Sequence, residues 1–317
     1  MTRIVVFAYH SVGCAGLKAL IASGDEIVRV ITHKDKPNEN LWFDSVADLA
    51  RERSLPMDYA EDLSCEALKS TVRELNPDIV YSFYYRDILP DEVLRVPSLG
   101  AFNLHGSLLP RYRGRCPVNW VIVNKEKMTG VTLHWMVKKP DAGDMVAQEV
   151  VAIDPRETAH SLFLKMIPRV RALVEKFHPL IREGRAPRLP QDHAKATVYP
   201  GRKPKDGEID WTQDAVTLDA LVRAVTKPYP GAFFFMNNKK VFVWETEPET
   251  STESQGAGVI LSVDPLRIKA GRGALRIVEA EFEGGLPWVH EGVTLPGHSE
   301  TGEASVSGAT INGGSHG

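Results

Sequence analysis

Along the first half of the chain, apolar residues fall into short β-branched runs separated by stretches with helical spacing. This is the pattern of a parallel sheet covered by helices on both faces. Residues 3–8 (Arg-Ile-Val-Val-Phe-Ala) read as a buried first strand, 12–23 as a helix closed by Gly24, and 26–32 as a second strand, which together make one βαβ unit. Residues 43–53 and 65–75 predict helices, Asn76-Pro77 a break, and 78–84 and 100–104 further strands. The last of these runs into a loop, 107–115, whose Pro and Gly resist regular structure. A helix over 117–125 follows, with Pro117 suited to its first turn. Strands over 129–137 and 145–153 flank the turn Lys139-Pro140-Asp141-Ala142-Gly143, and 158–183 has helical periodicity with Leu162, Met166, Val170, Leu173 and Val174 on one stripe.

The pattern changes between residues 184 and 205, a stretch rich in Pro, Gly and charge. A domain over 1–190, a linker over 191–205 and a second domain over 206–300 are expected. The second domain reads as a helix over 214–225, two aromatic-rich strands over 232–236 and 240–245 joined at Asn237-Asn238, and short strands over 258–263, 267–270 and 274–280. The expected fold class is α/β, a Rossmann-like mostly parallel sheet with helices on both faces, followed by a small OB-like β-barrel. Periodicity ends near residue 287, and 301–317, rich in Gly, Ser and Thr, predicts a flexible tail.

Composition narrows the function classes. At 317 residues the chain is long enough for two domains, and 43% hydrophobic with 25% charged residues is ordinary for a soluble globular protein. The formal charge, 38 minus 41 or −3, gives no global attraction to nucleic acid or to an anionic membrane. No segment reads as a signal peptide or bilayer span. Three widely spaced cysteines, Cys14, Cys65 and Cys116, fit neither a disulfide framework nor a zinc ribbon, so no metal and a reducing cytoplasm are expected. Gly13-Cys14-Ala15-Gly16 lies where a dinucleotide loop would, but the third glycine and the acidic end of the second strand are missing, which disfavours a nicotinamide cofactor.

The segment Phe102 to Gly114 carries most of the chemistry. In open α/β sheets reactive groups lie beyond the carboxyl ends of strands, and alternation puts Asn103 and His105 on one strand face. Two readings are open on spacing alone: a shared cleft, or a turn-closing Asn and a satisfied buried His. Asp141 is likewise either an Asx-type turn residue or a carboxylate that could hold an imidazole in one tautomer and raise its pKa. His10 could face the cleft or be solvated. Tyr84 and Tyr85 could stack on a base or pack on the sheet.

The run Asn103-x-His105-x-Ser107-Leu108-Leu109-Pro110-x-x-Arg113-Gly114, with Asp141 one strand pair later, resembles the signature of formyltransferases that use 10-formyltetrahydrofolate. Within that family the resemblance is nearest to the formyltransferase domain of the bifunctional polymyxin-resistance proteins, which formylates UDP-4-amino-4-deoxy-L-arabinose for lipid A modification. Further strings carry it: Val5-Val6-Phe7-Ala8-Tyr9-His10, Ser82-Phe83-Tyr84-Tyr85-Arg86, Asn119-Trp120-Val121 and Gly130-Val131-Thr132-Leu133-His134. It spans about residues 3 to 245 and is lost from Gly284 onward.

The resemblance implies a catalytic trio of Asn103, His105 and Asp141. The sugar amine attacks the formyl carbon, Asn103 and His105 stabilise the oxyanion, His105 moves a proton toward the departing folate nitrogen, and Asp141 orients His105. It implies a folate cleft formed by Arg86, Asp87, Ile88, Leu89, Arg115 and the segment Val137, Lys138, Lys139 and Pro140. His10, Tyr84 and Arg113 are candidate substrate contacts. For Arg86 a surface salt bridge, for Leu89 plain core packing and for Arg113 a solvated loop are the alternatives.

The function expected is therefore formyl transfer to the 4-amino group of a nucleotide-linked sugar, with no nucleic-acid or membrane partner and room for a homo-oligomer. Alternatives are an N-formyltransferase for another UDP- or dTDP-linked sugar, a methionyl-tRNA formyltransferase, and a folate- or nucleotide-sensing module without catalysis. Against the tRNA enzyme stands the acidic balance: Arg202-Lys203-Pro204-Lys205 is diluted by Asp206, Glu208 and Asp210.

Overall fold

The apolar run Ile4-Val5-Val6-Phe7 forms the centre of β1, Arg3–Ala8, whose last five residues are buried. In the computed structural model, which describes residues 1–37, 39–282 and 291–295, the chain continues through α1 (His10–Ser23), β2 (Glu26–Thr32), α2 (Val46–Glu52), β3 (Met57–Tyr59), α3 (Cys65–Leu75), β4 (Ile79–Phe83), α4 (Asp91–Leu94) and β5 (Gly100–His105). Then come β6 (Arg113–Gly114), α5 (Pro117–Val123), β7 (Met128–Trp135), β8 (Met145–Ala152), α6 (Ala159–Arg182) and β9 (Val198–Tyr199). The chain divides into two compact units between Arg202 and Lys203.

The first unit is built on a seven-stranded sheet in the order β3-β2-β1-β4-β5-β7-β8. Pairing is parallel from β3 to β5 and antiparallel from β5 through β7 to β8, so the expected mostly parallel sheet is present. Side-chain alternation sorts the two faces. Val5, Phe7, Val80 and Ala101 pack with Val72 of α3, Val93 of α4 and Leu89. On the opposite face Tyr81 meets α6, its hydroxyl 2.9 Å from His178 Nδ1. There α1 lies close on β4, since a Cβ at Gly16 would stand 2.5 Å from the Phe83 ring. The glycines of the supposed dinucleotide loop are thus helix residues buried for packing.

Residues 184–202 follow the first unit rather than leave it. Leu189 exchanges two backbone hydrogen bonds with Met145, at 2.8 and 2.9 Å. Further on, β9 pairs in parallel with β6, Arg113 opposite Val198 and Gly114 opposite Tyr199. Two-residue strands carry no periodicity, so a composition suited to a connector conceals this packing.

In the second unit α7 (Ala215–Val225) precedes β10 (Ala232–Met236), β11 (Lys239–Glu249), β12 (Ile260–Val263), β13 (Leu266–Lys269) and β14 (Ala274–Phe282). These strands form a five-stranded antiparallel sheet in the order β10-β11-β14-β13-β12, which with α7 makes the expected small, mostly β second domain. Asn237 and Asn238 take φ of 50° and 58°, as a two-residue hairpin turn of this hand requires. The expected tail over 301–317 lies outside the described residues.

Candidate active site

The antiparallel step from β5 to β7 sets the geometry. It places Asn103 directly opposite His134 and His105 opposite Thr132. Asn103 Nδ2 is 3.0 Å from His134 Nε2, and His134 Nδ1 is 2.8 Å from the Trp135 carbonyl oxygen. A carbonyl only accepts, so Nδ1 of His134 carries the proton and Nε2 accepts from the amide. Burial pushes the His134 pKa down to about 4, against the upward pull of the Asp141 carboxylate, so the ring is neutral at pH 7. The arrangement takes one N–H of Asn103 and leaves its second N–H for another acceptor.

His105, 7% exposed, is fixed by the loop that follows it. Its Nε2 donates to the Tyr112 carbonyl oxygen at 2.7 Å, while Nδ1 faces Asp141 Oδ1 at 3.5 Å. Nδ1 is therefore the nitrogen at which a proton can come and go beside a carboxylate. Ser107 Oγ donates to the Arg111 and Tyr112 carbonyls at 2.7 and 3.2 Å, and Thr132 Oγ1 donates to the Ser107 carbonyl at 2.6 Å. Asp141 takes φ of 55°, a left-handed conformation that Asp tolerates better than most residues. Its Oδ2 accepts the Gly114 N–H at 2.9 Å, and its Oδ1 is 3.8 Å from His134 Nε2. Asn103, His105 and Asp141 thus lie in one cluster, which His134 joins.

The other expected residues fall into three groups. Val137, Lys138, Lys139 and Pro140 form an exposed rim beside Asp141, and Asp87, Ile88 and Arg115 are exposed as well. Leu89 is buried in the core cluster, as its bland alternative had it. The Arg86 guanidinium pairs with Glu39 and lies 4.1 Å over the Tyr9 ring, while the Arg86 N–H donates to His33 Nε2 at 3.1 Å. Arg113 is 3% exposed and donates through Nη2 to Gln191 Oε1 at 2.6 Å and to His193 Nδ1 at 2.9 Å, so it is no solvated loop residue. His10 is stacked on Phe43 at 3.9 Å and edged by Trp42 and Phe163, and Tyr84, at φ of 57°, joins that aromatic group. Tyr85 packs on Phe7 and stacks on His33.

Two residues of the cluster escape sequence reasoning. His134 belongs to a string that carries the resemblance, yet only cross-strand register shows that it faces Asn103. Gln191, 6% exposed, falls in the stretch whose composition predicts a linker. Among the described residues no group of three or more His, Cys, Asp or Glu could hold a metal, and no described helix is long and apolar enough to cross a membrane.

An amide and an imidazole on β5 beside a carboxylate in the turn between β7 and β8 are groups suited to stabilising an oxyanion and moving a proton, as acyl-group transfer requires. Residues 2–169 match the formyl transferase family and residues 202–288 match the formyl transferase C-terminal domain. The chain belongs to the formyl transferase family, which makes it an enzyme of one-carbon group transfer. Its fold is similar to that of the N-formyltransferase from Helicobacter canadensis solved with folinic acid and dTDP-3-aminofucose, at TM-score 0.69 and 19% identity, covering 89% of this chain and 100% of that one. It is also similar to WlaRD, a sugar 3N-formyl transferase solved with dTDP and 5-N-formyl-THF, at TM-score 0.65 and 19% identity over 90% and 99% of the two chains. A likely sugar N-formyltransferase from Mycobacterium tuberculosis matches at TM-score 0.61 and 19% identity over 79% of this chain and 100% of that one.

Proposed function

We propose that the protein transfers the formyl group of 10-formyltetrahydrofolate to the 4-amino group of a nucleotide-linked sugar, with UDP-4-amino-4-deoxy-L-arabinose as acceptor. The observation that carries the reaction is the cluster itself, in which β5 presents the amide of Asn103 and Nδ1 of His105 in one group with Asp141 and His134. Family membership supports formyl transfer. Support for the sugar comes from the Ser82 to Arg86 string, from the resemblance it carries, and from structural neighbours whose bound molecules are dTDP-linked amino sugars or dTDP. Three free cysteines suit a reducing cytoplasm.

The donor set fits a folate. The exposed rim 137–140 runs into the half-buried Asp141, and Asp87 and Ile88 are exposed as well; we assign Arg86 to Ile88, Arg115 and 137–140 to holding it, with Leu89 in the core beneath. When bound, the folate supplies an activated formyl group on nitrogen. As the sugar amine adds to the formyl carbon, the second N–H of Asn103 meets the oxygen gaining charge. His105 Nδ1 takes the proton released by the amine and returns one to the departing nitrogen. Asp141 stabilises the imidazolium in between, and Gly114 N–H keeps the carboxylate aimed. His10 and Tyr84 are assigned to the acceptor side.

The test is mass spectrometry of products formed from 10-formyltetrahydrofolate and a panel of UDP- and dTDP-linked 3- and 4-amino sugars. A gain of one formyl group on UDP-4-amino-4-deoxy-L-arabinose, abolished in His105→Ala, is the expected result. Formylation of methionyl-tRNA with no sugar modified would overturn the assignment of the acceptor.

A further inference from the structure

We propose that Gln191, from the stretch between the two family regions, is a positioning residue for Asp141, fastening the turn that carries the carboxylate. The inference rests on the proposed role of Asp141. One side-chain amide makes three hydrogen bonds: Nε2 donates to the Asp141 carbonyl at 2.9 Å and to the Gly143 carbonyl at 2.6 Å, while Oε1 accepts from Arg113 Nη2 at 2.6 Å. The residue is 6% exposed and Arg113 is 3% exposed, so water does not compete for these bonds.

The bonding pattern singles out glutamine. Two carbonyls on one side need a donor with two protons, and a guanidinium on the other side needs an acceptor. A glutamate would keep the Arg113 bond and strengthen it, yet would turn a second oxygen toward the two carbonyls. The bridged residues matter because Asp141 holds a left-handed φ of 55° and its carboxylate accepts the Gly114 N–H. Gly114 and Arg113 are themselves paired with Tyr199 and Val198. Gln191 thus ties together the turn bearing Asp141 and the loop bearing the His105 acceptor Tyr112.

The test uses the full chain carrying Gln191→Glu or Gln191→Ala, with His105→Ala as the control for the reaction itself. Gln191→Glu is expected to melt within a few degrees of the wild type, because the Arg113 partner and the side-chain volume remain. Its kcat is expected to fall about 100-fold with KM for 10-formyltetrahydrofolate within about threefold, the cost of a displaced catalytic group. Amide exchange read residue by residue supplies an independent measure: the Gly114 amide, bonded to Asp141, loses protection, while the Arg115 amide, bonded to the Tyr199 carbonyl at 3.0 Å, keeps it. Unchanged Gly114 protection in Gln191→Glu, or a kcat within threefold of the wild type while His105→Ala is inactive, would overturn the proposal. Full turnover in His105→Ala would instead overturn the catalytic reading, and Gly114 exchange would still decide the part played by Gln191.

Discussion

Two imidazoles approach the same oxygen of Asp141, and their surroundings divide the work. His105 keeps Nδ1 toward the carboxylate, whereas His134 is neutral and turned to Asn103. Asp141→Asn suits the same left-handed backbone and removes only the charge, so the fold is expected to survive while kcat falls by about 100-fold or more. Steady-state kinetics and a melting curve check this. His134→Phe leaves the Asn103 amide unaimed and is expected to lower kcat about 10- to 100-fold, whereas His134→Gln, which retains an acceptor, loses less. The same ring predicts acid sensitivity. Its native pKa of about 4 lies below the ordinary value near 6.5, so between those values the unfolded chain binds a proton that the native chain refuses. Its contribution to stability is complete above pH 6.5 and is lost as pH falls toward 4. Burial pushes His10 down to about 3, with the same sign. Urea midpoints measured from pH 7 to 4 should decline, and less steeply in His134→Gln.

Single elements show where sequence is legible. The strands Arg3–Ala8 and Glu26–Thr32 and the helix Cys65–Leu75 have the bounds their patterns predict, because the strands bury apolar runs in the sheet and the helix, capped by Ser64 and Asn76, turns Leu68, Val72 and Leu75 onto the core. Asn103 and His105 could be found because strand alternation fixes their common face. His134 and Gln191 could not, because cross-strand register and the β6–β9 pairing depend on contacts far apart in sequence. Gly114 joins these scales: it takes φ of 96°, and a Cβ there would collide with the Tyr199 carbonyl oxygen. Gly114→Ala is expected to cost about 2 kcal/mol or more in chemical denaturation and to lower kcat along with it. The cap of α6 is separable from the site. Thr158 Oγ1 accepts the Ser161 N–H in a capping box, so Thr158→Ala should cost about 1 kcal/mol and leave kcat unchanged.

For the molecule as a whole, a net charge of −3 sets an expectation about partners. Initiator tRNA should bind no more tightly at 50 mM than at 200 mM salt, since no large number of phosphates is neutralised. A filter-binding series across that range checks it, and a steep decline would favour the tRNA enzyme. Distance along the chain has a consequence for how the enzyme is made. Asp141 and the side chain that bridges its carbonyl are 50 residues apart, which at ordinary rates of synthesis separates their emergence from the ribosome by roughly 3–10 s. A nascent chain therefore displays its reactive groups before it acquires the segment that orders them, and ripening of the active centre is written into the direction of translation.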